Sequence, residues 1–481
     1  MQNSLQEALL QWRTTIGPDH VATDIVTLVA AQTATFATGI QVPAILYPSS
    51  TEEVAKCLRI ASEHRIPIYP VSTGKNWGNG SRVPASQGCV ILDLSRMNRI
   101  IDFNEELAYA AVEPGVTSRQ MSAFLRAQNS RLRVSKNGTS PDASLIGNAL
   151  ERGDGGGLYG ERVDYVCGLE VVLPTGEIIH TGFQRFPDAR CKYLSRAGLG
   201  PGFDGLFFQS NLGVVTQMTL WLEPIPRFER RIVFAADKLD RMEKVIDQLR
   251  VLKMNNLIHS ISIWNNFKVL SRVTQYSKQH RVAAWIGQCR ISASSRIQSW
   301  SQKRLVMRAL LPFVTRIGSV RYGDEPDENG NLQIAYWRKR TPMPNNPNPD
   351  QDGCGLIWCM PLVPFRGEDA GVAIKLMEEI ASKHHFEPNL AVLGTEQRTL
   401  RLVGGIIYDR EVESEDEKAM RCHDEMLQAL IGEGFHPYRL GIQSMHAALS
   451  KLDATGDVWA RIKSALDPEQ VLAPGRYVLK R

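Results

Sequence analysis

A chain of 481 residues exceeds what one hydrophobic core usually organises, so two domains are expected. Hydrophobic residues make up 43% and charged residues 22% of the sequence, which excludes a disordered or fibrous protein. The formal charge of +5 is small for this length, and Lys and Arg look spread rather than clustered, which argues against nucleic acid as a partner.

The first 17 residues predict an amphipathic helix, and residues 1–40 as a whole predict a surface segment. No basic segment is followed by an apolar core, so no secretory signal is predicted, and no run of 18 apolar residues predicts a membrane span. Eight scattered cysteines without a CxxC motif indicate reduced thiols, and no metal site is predicted. We therefore expect a cytoplasmic protein.

Short β-runs alternate with two helices from residue 41 to about residue 225. The helices are predicted near 51–64 and near 117–128. Ser49, Ser50 and Thr51 are the predicted capping residues of the first helix. The strands are predicted in CVILDL, AYAAVE, YVCGLEVVLP and VVTQMTLWLEP, each of which ends in Gly, Pro or an acidic turn.

The stretch PIYPVSTGKNWGNG (67–80) gives the first sign of a ligand. Residues 66–71 predict a buried strand, and Gly74, Gly78 and Gly80 follow it in a loop. Glycines at this spacing let the backbone turn and present successive N–H groups to an anion. The loop matches neither GxxxxGK[ST] nor GxGxxG, so by itself it predicts a phosphate cradle no better than an ordinary surface turn.

A change of pattern at residues 224–226, Pro-Ile-Pro, is the predicted domain boundary. Beyond it, residues 230–252 predict a strand followed by a helix, and strand and helix signals recur to about residue 450. The Pro- and Asn-rich stretch 340–353 predicts a linker or lid, and the apolar run CGLIWCMPLVP after it predicts a buried strand. The end of the chain predicts a helix that stops at Asp467, and then an extended tail.

Several blocks, taken in order, resemble the vanillyl alcohol oxidase and p-cresol methylhydroxylase family of flavoproteins. These blocks are residues 43–68, 67–80, 89–101, 108–121, 150–182, 202–226 and 467–477. The resemblance implies an α+β fold with two domains. Residues 1–226 would form an FAD-binding domain of two α/β subdomains, residues 227–455 an inserted substrate (cap) domain with an antiparallel sheet and helices, and residues 456–481 a C-terminal return to the FAD-binding domain.

The resemblance also implies FAD as the cofactor. Residues 72–80 would surround the pyrophosphate, residues 135–157 would add backbone and hydroxyl groups, and residues 210–215 would approach from a third side. The cofactor-binding residues implied are Pro70, Ser72, Thr73, Gly74, Lys75, Asn76, Trp77, Gly78, Asn79, Gly138, Pro141, Gly147, Asn148, Glu151, Arg152, Gly153, Gly157, Tyr159, Gly160, Gly213, Val214, Val215 and Arg476.

Four catalytic residues follow from the same resemblance. Glu161 stands where the family shows an aspartate close to the reactive flavin nitrogen, and a carboxylate there can take a proton from the substrate. Tyr438 and Arg439 match a pair that binds a phenolate oxygen, and Arg476 matches a second arginine; such donors stabilise an oxyanion. A solvated glutamate and arginines in structural ion pairs stay open as alternatives. Asn79 replaces the tyrosine that completes the family's phenolate site.

The residues that link the flavin covalently in this family have no counterpart here. The matching position falls near Leu356 or Ile357, and neither side chain is nucleophilic. Cys354 and Cys359 lie nearby, but apolar surroundings favour inert thiols. We therefore predict non-covalent FAD.

The function predicted from these residues is an FAD-dependent oxidase or dehydrogenase. It would remove a hydride from a benzylic or similarly activated carbon of an anionic or ionisable aromatic substrate, through a quinone-methide-like intermediate. Two alternatives are an alcohol or 2-hydroxy-acid dehydrogenase on the same fold, and an inactive binding subunit. The electron acceptor, oxygen or a separate redox protein, and a homodimeric state are left open, and no membrane partner is expected.

Overall fold

The N-terminal half of the chain contains two sheets, and the first of them holds the strand predicted before the glycine loop. The structure is a computed structural model that describes residues 2–135, 140–158, 160–272, 283–321, 330–445 and 454–477. The first sheet has the strand order β1-β2-β4-β3, with β2, β4 and β3 parallel. Its elements are α1 Gln2–Ile16, β1 Val21–Ala22, α2 Ile25–Gln32, β2 Ile45–Leu46, α3 Thr51–Glu63, β3 Ile68–Val71 and β4 Val90–Asp93.

Helix α3 shows how the local sequence specifies this subdomain. The Ser50 side chain accepts a hydrogen bond from the N–H of Glu53, and two glutamates in the first turn favour the positive end of the helix dipole. Val54, Leu58 and Ala61 lie on one face and are buried against the sheet. The prediction of this helix is therefore confirmed.

The second sheet is antiparallel, with the order β5-β6-β10-β8-β9, and a two-stranded ribbon, β7 with β11, lies beside it. Helix α4 confirms the helix predicted near 117–128. The elements are β5 Ile100–Asn104, β6 Tyr109–Val112, α4 Ser118–Ala127, β7 Leu132–Arg133, α5 Leu145–Leu150, β8 Val166–Val172, β9 Ile178–His180, β10 Val214–Trp221 and β11 Glu223–Pro224.

A third, eight-stranded antiparallel sheet begins at Phe228, just after the predicted boundary. Its order is β15-β12-β14-β13-β18-β19-β16, and β17 pairs with β19. Its strands are β12 Phe228–Ala236, β13 Ile261–Asn265, β14 Trp285–Ala293, β15 Arg316–Arg321, β16 Cys354–Cys359, β17 Leu362–Pro364, β18 Asn389–Gly394 and β19 Thr399–Asp409. The helices of this domain are α6 Leu239–Met254, α7 Asn266–Ser271, α8 Arg296–Leu310, α9 Gly330–Tyr336, α10 Gly367–Lys383 and α11 Glu415–Gly432.

The two faces of this sheet differ because successive side chains of a strand point in opposite directions. Along β19, Leu400, Leu402 and Ile406 pack into the core formed with helices α6, α10 and α11. The residues between them, including Arg401 and Gly405, face the N-terminal domain. Any side chain that meets the cofactor domain from this sheet therefore comes from the second set.

The C-terminal segment returns to the first sheet. Helix α12, Thr455–Leu466, ends at Asp467, whose carboxylate accepts hydrogen bonds from the N–H groups of Val471 and Leu472. Lys463 forms an ion pair with the same carboxylate at 2.6 Å. These contacts place Leu472 beside Ile68 of β3, with which it forms a parallel bridge.

The predicted two-domain α+β architecture is confirmed. The prediction that residues 1–40 lie on the surface is wrong for part of this stretch, because Trp12 and Thr35 are fully buried. In the Pro- and Asn-rich stretch 340–353, Asp350 is also buried, and it accepts a hydrogen bond from Ser81 in the glycine loop at 2.7 Å.

All eight cysteines are free thiols. No helix in the described part of the chain is long and apolar enough to cross a membrane.

Candidate active site

An elongated cleft lies where the two N-terminal sheets meet, with the loop after β3 along one side. Its empty volume is about 1080 Å³, including the solvent at its mouth. The loop contributes residues 72–76 and 79–81, and the segments around α5 and the start of β10 form other parts of the wall. The cap domain closes the remaining side with residues that include Arg439 and Ile442.

The backbone of the loop turns sharply at Gly78, which has a φ of +77°. A Cβ added there would lie 2.3 Å from the Trp358 ring, so only glycine fits at this position. The N–H of Gly78 donates to the hydroxyl of Thr35 at 2.9 Å, and the indole N–H of Trp358 donates to the Trp77 carbonyl at 3.0 Å. Buried contacts from both domains thus fix the shape of the loop.

The chemistry of this cleft fits a dinucleotide cofactor. Backbone groups and hydroxyls of Ser72, Thr73 and Ser144 line one part, and Val214 and Val215 line another, so polar and apolar walls are both present. Among the residues that the structure describes, the buried carbonyl oxygen of the Asn148 side chain has no hydrogen-bond partner. An unpaired buried acceptor in the wall is the arrangement that a bound polar ligand would satisfy.

Two arginines and one glutamate meet at the cap end of the cleft. Glu151 forms an ion pair with Arg476, and its second oxygen lies 3.8 Å from Arg439 Nε. Arg439 also donates to the Asn76 side chain at 2.5 Å, and Arg476 donates to the Tyr69 hydroxyl at 2.5 Å. Because one carboxylate offsets two guanidinium groups, this end of the cleft carries a net positive charge.

A second ionic group, centred on Arg401, lies on the cap sheet. Arg401 is 2% exposed and forms an ion pair with Glu161, which is 5% exposed. Its guanidinium carbon lies 4.2 Å from the centre of the Tyr438 ring, and its Nη1 lies 3.5 Å from Asp154. Burial raises the pKa of Tyr438, although Arg401 and Arg439 act in the opposite direction.

The structure therefore separates the four predicted catalytic residues into two pairs. Glu161 and Tyr438 meet at Arg401, whereas Arg439 and Arg476 meet at Glu151 in the cleft. The two pairs are adjacent, because Tyr438 and Arg439 are consecutive and the Gln209 side chain in the cleft wall donates to the Tyr438 carbonyl at 2.9 Å.

Most of the predicted cofactor-binding residues line the cleft. Those that do are Pro70, Ser72, Thr73, Gly74, Lys75, Asn76, Asn79, Gly147, Asn148, Glu151, Gly213, Val214, Val215 and Arg476. Gly138 and Tyr159 lie outside the described residues.

The remaining predicted residues do not line the cleft in the structure. They are Trp77, Gly78, Pro141, Arg152, Gly153, Gly157 and Gly160. Two of these glycines serve packing within the domain: a Cβ on Gly157 would collide with the Tyr165 hydroxyl and Glu223, and one on Gly153 would collide with the Asn148 side chain.

Three residues of functional interest were missed. Arg401 is a charged residue inside an apolar strand, TLRLVGGII, and that contrast is a usable signal. Thr35 and Asp350 contact the glycine loop from distant parts of the chain, and no local sequence pattern predicts these contacts.

The alternation along β16 decides which side chains could approach the flavin. Leu356 faces the N-terminal domain and packs with Trp77, whereas Ile357 and Cys359 point into the cap core. Cys354 shares the face of Leu356, but burial raises the pKa of its thiol to about 12. Burial raises the pKa of Cys359 to about 12 as well.

We expect acid precipitation to release all bound FAD into the supernatant, because Leu356 offers no nucleophile and Cys354 stays protonated. The measurement is flavin absorbance in the supernatant, together with in-gel flavin fluorescence. Fluorescence that remains with the denatured protein band would contradict the prediction, and a Cys354→Ala variant would then identify or exclude the attachment residue.

The chain is similar to proteins of known function along its full length. A profile for an FAD binding domain matches residues 42–182. The chain is 42% identical to 1'-carboxy-chondrochloren decarboxylase of Chondromyces crocatus, over 98% of this chain and 97% of that protein. It is 30% identical to the 4-cresol dehydrogenase [hydroxylating] flavoprotein subunit of Pseudomonas putida, over 99% and 96%. The structure of p-cresol methylhydroxylase with substrate bound superposes with a TM-score of 0.88 at 28% identity, over 99% of this chain and 98% of that one.

Proposed function

Because this chain belongs to the vanillyl alcohol oxidase and p-cresol methylhydroxylase family of FAD-dependent oxidoreductases, we propose that it oxidises the benzylic carbon of a 4-hydroxyaryl substrate. The observation that carries the proposal is the Tyr438 phenol, which is stacked on Arg401, next to the net positive end of the cofactor cleft. FAD, when bound, supplies the two-electron acceptor. The relative from Pseudomonas putida, named for 4-cresol, supports the substrate class.

The Tyr438 hydroxyl is suited to donate a hydrogen bond to the substrate oxygen. Among the described residues its only hydrogen-bond acceptor is the Met360 sulfur, a weak one, at 3.7 Å. Because burial raises the pKa of Tyr438, the phenol stays protonated at neutral pH and keeps its proton for donation. A hydrogen bond from a phenol, supported by nearby guanidinium groups, favours the ionised form of a substrate hydroxyl.

Glu161 is suited to accept a proton. One of its oxygens pairs with Arg401. The other is buried and has no hydrogen-bond partner among the described residues, although Arg152 Nε lies 3.8 Å from it. A carboxylate that an arginine holds in place through one oxygen, and whose other oxygen has no hydrogen bond among the described residues, can take a proton from a substrate hydroxyl or from water. In this proposal Arg401 orients both Glu161 and Tyr438.

The relative from Chondromyces crocatus supports a variant of the same reaction, because its name records the loss of a carboxyl group. Loss of the hydroxyl proton of a 4-hydroxyaryl substrate, together with removal of a hydride from its benzylic carbon, gives a quinone methide. If the next carbon carries a carboxylate, breaking that C–C bond releases CO2, and its electron pair restores the aromatic phenolate and forms an alkene. Without such a carboxylate, water adds to the benzylic carbon instead.

The proposed function is tested by anaerobic reduction of the bound flavin with three substrate classes. These are 4-alkylphenols with and without a side-chain carboxylate, aryl alcohols without a 4-hydroxyl, and 2-hydroxy acids. We expect the 4-hydroxyaryl compounds to bleach the flavin and the others to leave it oxidised. Bleaching by a 2-hydroxy acid alone would overturn the proposal.

We expect Arg439→Ala to lower kcat/KM for an ionisable substrate by about 10-fold or more, the scale of one charge-assisted hydrogen bond. The reason is that Arg439 supplies part of the excess positive charge in the cleft. The measurement compares each 4-hydroxyaryl substrate with its methyl ether in both proteins. Arg241→Ala is the control, since Arg241, on α6, forms an exposed ion pair with Asp237 and does not line the cleft. If Arg439→Ala keeps the parent's preference for the hydroxyl, this arginine does not recognise the oxyanion.

A further inference from the structure

A buried lysine, for which the described part of the chain offers no carboxylate partner, lies on the cofactor-facing side of the cap domain. Lys268, on α7, is only 4% exposed. Among the described residues no ion pair and no hydrogen-bond acceptor is found for its ammonium group. Its Nζ lies 4.5 Å from the centre of the Trp358 ring.

The surrounding sequence does not offer this lysine a counter-charge. From residue 248 to residue 323 the chain contains thirteen Lys and Arg and no Asp or Glu. This segment therefore carries a local excess of positive charge, although Lys and Arg are spread along the chain as a whole. Burial, and then the charge of Arg272, lower the pKa of Lys268 to about 7. A buried ammonium group without an anion costs several kcal/mol, so a lysine in this position indicates a ligand that supplies the anion.

The lysine is connected to the cofactor loop through Trp358. The indole of Trp358 packs against Gly78 and donates to the Trp77 carbonyl, and its ring covers Gly405 on the neighbouring strand. A Cβ on Gly405 would lie 2.7 Å from this ring, so the glycine makes room for it. Trp358 itself is only partly buried.

Lys268 and Tyr438 lie at opposite ends of one sheet face. Gly405, beneath Trp358, and Arg401, beneath Tyr438, are four residues apart on β19 and face the same way. At about 3.3 Å per residue the two positions are about 13 Å apart along the strand. Val403 lies between them and is only partly buried. A small aromatic molecule with a polar group at each end spans such a surface.

We propose that Lys268 binds a carboxylate on the substrate side chain, at the end of the site opposite the 4-hydroxyl. This inference rests on the proposed function, because it places the substrate's hydroxyl at Tyr438. The ammonium group would form a charge-assisted hydrogen bond with the carboxylate, and Trp358 would cover the side chain that joins the carboxylate to the ring. Where the carboxylate leaves as CO2, Lys268 loses its partner and release of the product is favoured.

The test measures binding rather than turnover, by isothermal titration of the holoenzyme at pH 6. The probes are 2-(4-hydroxyphenoxy)acetate and its neutral amide, in which an oxygen replaces the benzylic carbon and prevents oxidation. We expect the parent protein to bind the acetate about 10-fold more tightly than the amide or better, and Lys268→Met to bind both alike with unchanged affinity for the amide. Lys268→Arg should keep part of the preference.

Removing a buried, unpaired charge should not lower the melting temperature of Lys268→Met, and Lys268→Gln serves as a second neutral variant. Equal binding of acetate and amide by the parent protein, or a preference that survives in both neutral variants, would overturn the proposal. Because the probes are not oxidised, this result is independent of whether any 4-alkylphenol reduces the flavin.

Discussion

Glu161→Gln is expected to keep FAD bound but to slow anaerobic flavin reduction by roughly 10²–10⁴-fold, the usual effect of losing an acid–base group. Glutamine preserves the size of the side chain and can still accept a hydrogen bond from Arg401. It removes the negative charge and the basicity of the oxygen that has no hydrogen-bond partner in the structure. The substitution should therefore lower the rate of flavin reduction and leave the FAD content of the protein unchanged. Stopped-flow absorbance gives both quantities, the FAD content from the starting absorbance and the rate from its decay.

The matched control for this variant is Glu396→Gln. Glu396 also approaches Arg401, at 3.9 Å, but it is much more exposed than Glu161. We expect its substitution to change the reduction rate by less than about 3-fold, as is usual for an exposed ion pair. Equal rates for Glu161→Gln and the parent protein would show that Glu161 only neutralises Arg401.

Arg401→Met is expected to lower the free energy of unfolding by about 3–5 kcal/mol, because it leaves Glu161 and Asp154 near each other without their buried cation. Flavin reduction should slow as well, since Tyr438 loses the guanidinium group stacked on its ring. Urea unfolding monitored by tryptophan fluorescence gives the first quantity, and stopped-flow absorbance gives the second.

The double variant Glu161→Gln with Arg401→Met separates stability from catalysis. Removing both charges should recover much of the lost stability, because no uncompensated buried carboxylate remains at position 161. It should not recover the rate of flavin reduction. A double variant that regains both would show that this ion pair serves the fold alone, and the proposed role of Arg401 would be wrong.

The sequence predicted the fold well where the signal is local. The cap at Ser50 and the run of apolar residues predicted α3 to within one residue and β3 to within two, because capping and burial act within a few positions. Gly74 of the glycine loop lines the cleft, whereas Gly78 makes room for Trp358 of the other domain. A glycine pattern alone does not show whether a glycine makes room for a ligand or for a side chain from a distant part of the chain.

The candidate site was less predictable, because its arrangement depends on how two domains meet. Tyr438 and Arg439 are adjacent in sequence, but Tyr438 contacts Arg401 and Arg439 lies near Glu151. Matching the two residues to a single motif does not predict this separation. Lys268 is informative only once its burial is known, since a lone basic residue in sequence is usually solvated.

The most direct test of the central claim is anaerobic stopped-flow reduction of the bound flavin by a 4-alkylphenol and by its methyl ether, each with protium or deuterium at the benzylic carbon. We predict that the phenol reduces the flavin with a primary isotope effect and that the methyl ether does not reduce it. Equal reduction by both compounds, or reduction by the phenol without any isotope effect, would contradict benzylic oxidation of an ionised phenol at this site.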